Sequence, residues 1–535
     1  MGIHRTAFAR PSRWAVLLLS ALALPALGQS WQRVLHQSDS PGSAIGGGSG
    51  NSLFAGLTSG HVFRSIDNGL TWTLASDGLT DSFGRLLLPK AFVVTPSGRV
   101  IRAGDNASWE NRVGSPIFYS DNAGQTWTEV PLPFASPTRN PSGIGASDLV
   151  VHQGALYFSD LLSEGVWKST NNGLTWTAAG EGLPTAPFVN FAKTYYAVAS
   201  AGNALLTVQA SKGVFRSLDG GATWTQAVEG IPGVVDSPLV GGRTWNASDV
   251  VGAPDGTAYA ISDARLYRSR DAGATWTEIG QGVLESPNPF VPSVILPSAR
   301  KVEVLGDRLF VSSGDANPRF FEGSTSGDSW TELPQVAGNN GNASLLAQSF
   351  YAHNGALYFA GGTGVYRLDL ATAVRTPIAP KVAVTSSGPY VANVGGTLQA
   401  SVHISGTAPF HIEWQLDGQP IVGQTSATLN WPATTTNQAG TLSVIVRNDA
   451  GAVTNTLGAL AVAPTGPGRI DYSFRPVVSA NIGAVTVNTF AFAPDGSVFL
   501  GGGLYSQTET YTGVRKVFAD GRVDSGFVTG ALIGS

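Results

Sequence analysis

An eight-residue phrase present in six copies constrains this 535-residue chain more than any other feature. Ser65-Ile-Asp-Asn-Gly-Leu-Thr-Trp72 recurs as Ser120-Asp-Asn-Ala-Gly-Gln-Thr-Trp127 and Ser169-Thr-Asn-Asn-Gly-Leu-Thr-Trp176. It returns as Ser217-Leu-Asp-Gly-Gly-Ala-Thr-Trp224 and Ser269-Arg-Asp-Ala-Gly-Ala-Thr-Trp276, with a worn sixth copy, Gly323-Ser-Thr-Ser-Gly-Asp-Ser-Trp330. The tryptophans stand 55, 49, 48, 52 and 54 residues apart. A near-fixed period marks one supersecondary unit repeated along the chain, each copy burying its apolar face on its neighbour. The units are not helical: charged residues are 13% of the chain, about half the usual share, and there are 67 glycines. Exposed helices need a charged wet face; this composition suits short strands and tight turns.

A period near 50 residues fits a propeller blade of about four strands. In each copy a short strand such as Val214-Phe-Arg-Ser217 enters and Thr223-Trp-Thr-Gln226 leaves. Between them Asp219 can accept turn amides and Gly221 can take the positive φ that closes a hairpin. The tryptophan then offers a large apolar face to the neighbouring sheet. The phrase resembles the Asp-box, or BNR repeat, of sialidase-like, sortilin-like and xyloglucanase-like propellers, over about 350 residues. That resemblance implies a structural role, away from any active site, for Asp67, Asn122, Asn171, Asp219 and Asp271. It implies the same for Trp72, Trp127, Trp176, Trp224, Trp276 and Trp330. Asn122, Asn171 and Thr325 replace the acid in three copies, so a carboxylate is dispensable there.

A seventh unit, Ala356-Leu-Tyr-Phe-Ala360 through Val365-Tyr-Arg-Leu368, keeps the strands and loses the phrase. Trp31-Gln-Arg-Val34 looks like an orphan copy of an outgoing strand such as Trp127-Thr-Glu-Val130. It is expected to complete the seventh blade, the alternative being an isolated start to the first. The expected fold is therefore all-β, with a seven-bladed propeller over residues 30–379.

Two smaller units follow. Residues 380–464 run as Thr/Val/Ser-rich strands with Trp414 followed by the turn Leu416-Asp-Gly-Gln419. They resemble an immunoglobulin-like sandwich whose disulfide positions are held by Val402 and Val444. After the linker Thr465-Gly-Pro-Gly468, Asp471-Tyr-Ser-Phe474 recurs as Asp524-Ser-Gly-Phe527. Residues 465–535 thus resemble one delta-60 repeat with the start of another, an incomplete unit that reads as truncated or as needing a partner.

At the other end, Arg5, Arg10 and Arg13 precede the apolar run Trp14–Leu27 and a small-residue site at Ala26-Leu27-Gly28. This is the order of a signal peptide over residues 1–28. The run is too short for a spanning helix, which needs about 20 apolar residues. Cleavage would take the net charge from −4 to −7. The mature chain is then expected to be secreted or at the cell surface, periplasmic or extracellular, with no transmembrane segment. An acidic balance of this kind excludes a generic nucleic-acid binder. The absence of cysteine excludes thiolate metal sites and cysteine nucleophiles.

Chemistry is harder to place. Aligning the repeats puts Asp105, Asp160, Asp263 and Asp315 at the end of second strands, and Asp148 and Asp249 just before first strands. Connecting segments add Arg85, Arg139, Lys193, Arg243 and Arg300, with Trp109 and Trp245 nearby. All of these are expected on the loop face opposite the box hairpins. Two readings stand: a surface of acids, bases and aromatics that binds a glycan or polypeptide, or turn-capping aspartates and solvated arginines. No Arg-Ile-Pro motif of the sialidases occurs, and the xyloglucanase-like enzymes set their carboxylates between two propellers where this chain has one. The seven histidines show no metal-ligand spacing. No catalytic residue, metal or cofactor is therefore assigned. The expectation is an exported recognition or adhesion protein, the alternatives being a polysaccharide-active glycoside hydrolase or a periplasmic assembly factor.

Overall fold

The structure is a computed structural model. It describes residues 30–463 apart from 37–39, 81–85, 106–116, 132–145, 161–164, 185–194, 236–242, 288–294, 315–317, 326–327, 337–346, 387–389 and 434. Three further strands, Val485–Phe492, Val498–Tyr505 and Thr510–Val517, form an antiparallel sheet. The signal-peptide segment, the 465–468 linker and both Asp-x-x-Phe copies at 471–474 and 524–527 lie outside the described residues.

Residues 42–377 build seven antiparallel sheets in chain order, each a meander of the kind the repeat predicts. Sheet 4 is representative: Tyr195–Ala201, Ala204–Gln209, Gly213–Ser217 and Thr225–Gln226, each paired with the next. Sheets 1, 2, 3 and 5 repeat this order, with first strands Gly42–Ser49, Leu88–Val94, Ala146–His152 and Ala247–Gly252. Sheet 6, which begins with Ala299–Leu305, gains a fifth strand, Thr376–Pro377, beside Trp330–Glu332. Sheet 7 begins with Ala347–His353, and its outermost strand is Gln32–Leu35, paired with Gly364–Asp369. The orphan strand therefore does close the seventh sheet. The Trp31 indole beside it donates to the Pro334 carbonyl at 2.8 Å and meets Phe359 edge-on.

The chain divides into two compact units, one holding sheets 1, 2 and 7, the other sheets 3 to 6 together with all that follows residue 375. Within each unit the core lies between adjacent sheets. Each such layer takes the box tryptophan of one of its two sheets: Trp72, Trp127, Trp224, Trp276 and Trp330. Strands with both faces against neighbours read as continuous runs, which is why apolar–polar alternation is missing from buried stretches such as Ala155–Asp160.

Residues 381–463 form a sandwich of a three-stranded and a five-stranded sheet. Trp414 is fully buried at its centre, with Val402 and Val444 packed in the same cluster. Asp417 and Gly418 both take left-handed conformations in the hairpin that the Asp-Gly pair predicts.

Candidate functional site

The box hairpins are built by short polar side chains. In the fourth copy Asp219 accepts the Thr223 amide at 2.9 Å and the Ser217 and Thr223 hydroxyls at 2.7 and 2.5 Å. The Ser217 hydroxyl in turn accepts the Gly221 amide at 2.9 Å. These bonds hold the Asp219 carboxyl down at about 2. Asn122 reproduces the network with its amide, accepting from the Thr126 amide and donating to the Thr126 hydroxyl at 2.8 Å. The same holds for Asn171 and Thr175. This is why a carboxylate is dispensable. Burial lifts Asp271, but its bonds from Thr275, Ser269 and Ala274 outweigh that and hold it at about 2. Asp67 is likewise lowered by bonds from Thr71, Ser65 and Leu70 against its burial. All these acids are occupied in turn closure.

The first strands carry the other constellation. Each has a β-bulge near its start, and the residue after the bulge is Asp148 in sheet 3, Asp249 in sheet 5, Lys301 in sheet 6 and Ser349 in sheet 7. Asp148 and Asp249 thus stand inside first strands, not before them, because the bulge brings the strand start forward to Ala146 and Ala247. Asp148 accepts the Val198 amide of sheet 4 at 3.1 Å, and Asp249 accepts the Val302 amide of sheet 6 at 3.0 Å. Ser349 does the same for the Ile45 amide of sheet 1 at 3.2 Å. The Lys301 ammonium stands 3.2 Å from the other oxygen of Asp249.

Glu303 follows Lys301 by two residues and so shares its face of the strand. Its carboxyl is raised well above the usual range by burial and by the neighbouring charges of Asp249 and Asp148, with Lys301 opposing. Burial also pushes Asp148 up to about 6, against the pull of the Val198 and Leu149 amides and of Lys301. Three carboxyls and one ammonium therefore interact across the first strands of sheets 3, 5 and 6. Lys301 and Glu303 escaped the sequence reading. Aligning Ala299-Arg-Lys301 with Ala146-Ser-Asp148 and Ala247-Ser-Asp249 would have found the first of them.

The remaining candidates separate. Asp160 ends its second strand but is fully buried beneath Trp167, whose indole donates to it at 3.3 Å. Asp263 follows its strand in a left-handed turn and accepts the Asn246 side chain at 2.6 Å. Trp245 is half-buried, and its indole donates to the Ile231 carbonyl at 2.9 Å. These three are engaged in local structure. Arg243 pairs by backbone with Val235, and Asp105 ends the second strand of sheet 2; their side chains lie outside the described residues. Trp109, Asp315, Arg85, Arg139 and Lys193 also lie outside them. A cavity of about 740 Å³ sits elsewhere, lined by Lys168, Ala178–Leu183 and Gly220–Ala222. Its lining is mostly backbone and small side chains, and Lys168 is already bonded to the Gly220 carbonyl at 2.9 Å. It offers little chemistry. Among the described residues no cluster of His, Asp or Glu could hold a metal ion, and no helix is long and apolar enough to cross a membrane.

No protein-family model matches the chain. A xyloglucanase from a Paenibacillus species is 28% identical over 226 residues, which is 42% of this chain and 18% of the relative. The chain thus matches less than a fifth of that relative's length. Among solved structures, a GH74 xyloglucanase from Xanthomonas campestris is 14% identical, with a TM-score of 0.48 over 92% of this chain and 81% of that one. YCF48 from Cyanidioschyzon merolae is 13% identical, with a TM-score of 0.43 over 64% of this chain and all of that one. YCF48 bound to a D1 peptide is 11% identical, with a TM-score of 0.42 over 63% and 96%. Scores of this size mark a loose likeness and carry no functional weight. The all-β, propeller-type sheet series rests on the chain's own pairing.

Proposed function

We propose that this chain is an exported, polysaccharide-active protein of the xyloglucanase type, with its chemistry at the first-strand carboxyls of sheets 3, 5 and 6. The observation that carries the reading is the cluster on these strands, Asp148, Asp249 and Glu303 about the Lys301 ammonium. Cleaving a glycosidic bond takes one carboxyl that still holds a proton near neutral pH and a second carboxylate to activate water or attack the sugar. Asp148, pushed up to about 6, suits the first role. Asp249, beside the Lys301 ammonium, suits the second. The Paenibacillus relative supplies the substrate to try first, xyloglucan.

The test is release of reducing ends from xyloglucan and from β-glucan oligomers by the chain lacking residues 1–28. Release that falls at least about 100-fold in Asp148→Asn supports the proposal. A folded chain that releases none from either substrate refutes it.

A second reading, recognition or adhesion without catalysis, is favoured by one specific observation. Asp148 and Asp249 accept neighbouring amides just as Ser349 does, and a serine there has no acid–base role. Under that reading the chain binds a glycan or a surface polypeptide at micromolar concentration without turnover. Asp148→Asn would then leave binding unchanged.

A further inference from the structure

The sixth box copy differs from the others in its surroundings as well as in its sequence. In three other copies the tryptophan backbone amide donates to the carbonyl of an acidic residue in the exit turn of the preceding sheet. These are Trp127 to Asp77 at 2.8 Å, Trp224 to Glu181 at 2.9 Å and Trp276 to Glu229 at 2.9 Å. The exit turn of sheet 5 offers the matching carbonyl on Gln281. Yet the Trp330 amide donates instead to the Gly406 carbonyl of the sandwich, at 2.7 Å. The Gln281 carbonyl accepts the Ser405 hydroxyl, and the Trp330 carbonyl accepts the Thr407 hydroxyl. Ala408 donates its amide to the Ser329 hydroxyl at 3.1 Å. A loop of the sandwich thus occupies both halves of the inter-sheet bond.

That loop is fixed from its own side. Asn448 donates to the Ile378 and Thr407 carbonyls at 2.8 and 2.7 Å, and the Thr407 amide donates to Ile378 at 3.0 Å. His403 stands 3.4 Å from Asp328, the residue two before Trp330. Gly406 has a φ of +126°, and a Cβ there would press on the Ala379 and Ile378 carbonyls. Trp330 differs in its ring as well: its indole nitrogen is buried without a partner among the described residues, whereas those of Trp72, Trp127, Trp176, Trp224 and Trp276 all donate to carbonyls.

We infer that Ser405–Ala408 stands in for the seam contact that the Trp127, Trp224 and Trp276 copies make with the preceding sheet. Sheet 6 and the sandwich are then one folding unit, and the sandwich is an extension of the sheet instead of a module on a tether. Hydrogen exchange on the chain lacking residues 1–28, read peptide by peptide, tests this. Gly406→Ala forces the loop from its left-handed conformation. It is expected to speed exchange across 328–333 by roughly tenfold or more while leaving 222–227, at the Trp224 hairpin, unchanged. Trp414→Ala, which empties the sandwich core, is expected to expose 328–333 together with the sandwich strands. If the sandwich loses protection in Trp414→Ala while 328–333 stays as slow as in the parent chain, the inference is overturned. Equal acceleration at 222–227 and 328–333 in Gly406→Ala overturns it too, since that would be general destabilisation.

Discussion

Replacing Asp148 with Asn should stabilise the protein at pH 8 and do little at pH 4. The carboxyl is raised from 3.8 to about 6 by burial in the native state. An acid whose folded pKa is raised binds its proton more tightly when folded. Its favourable contribution is complete below pH 4, is lost as pH rises through 6, and stays lost above that. A rise from 3.8 to about 6 corresponds to roughly 3 kcal/mol at most between those limits. Asparagine resembles the protonated acid: it cannot ionise, and it keeps one acceptor for the Val198 or Leu149 amide. The other amide loses its acceptor oxygen, at a cost of about 1 kcal/mol. The expected net gain at pH 8 is therefore at most about 2 kcal/mol, read as a higher urea midpoint with unchanged slope. The advantage should shrink steadily between pH 6 and 4. A variant less stable than the parent at pH 8, or one whose difference is the same at pH 8 and pH 4, would refute the burial argument. Paired with the hydrolysis assay, the same variant separates roles: an acid catalyst is lost while the fold gains stability.

Three other perturbations probe the repeat itself. Arg102 is fully buried in sheet 2, its Nε and Nη1 lack partners among the described residues, and burial pulls its pKa down to about 9. The corresponding positions elsewhere, such as Phe158, Val311 and Phe359, are apolar, so Arg102→Met should raise stability by about 1–3 kcal/mol in thermal melts. Gly230 has a φ of +88°, and a Cβ there would run into the Trp276 carbonyl. Gly230→Ala should cost about 3 kcal/mol or more in denaturant unfolding, and a loss under about 1 kcal/mol would mean that the seam yields easily. Asp219→Asn should be close to neutral at pH 7 because Asn122 and Asn171 already close the same turn. It should slow acid unfolding below pH 4, where the parent's lowered carboxyl gives up its bonds as it protonates between 3.8 and about 2.

The repeat was legible because its signals are local. A serine, an acid or amide, a glycine and a threonine within eight residues fix one hairpin, and the tryptophan reports burial without any knowledge of what buries it. Even there one detail was hidden. The residue before the box glycine is also left-handed, including Ala123 and Ala272 at φ +55°, and nothing in an alanine announces a left-handed backbone. The strand Gln32–Leu35 could be placed in sheet 7 from its likeness to other outgoing strands, although more than 300 residues separate it from its partner. Side-chain chemistry across sheets resisted. Asp148, Asp249 and Glu303 affect one another only because their strands align side by side, and the bulge that sets their register leaves no sequence mark beyond a shifted alternation. The sixth box shows the limit most plainly. Nothing in its sequence announces that a sandwich loop lies across that seam, with the Trp330 amide donating to the Gly406 carbonyl.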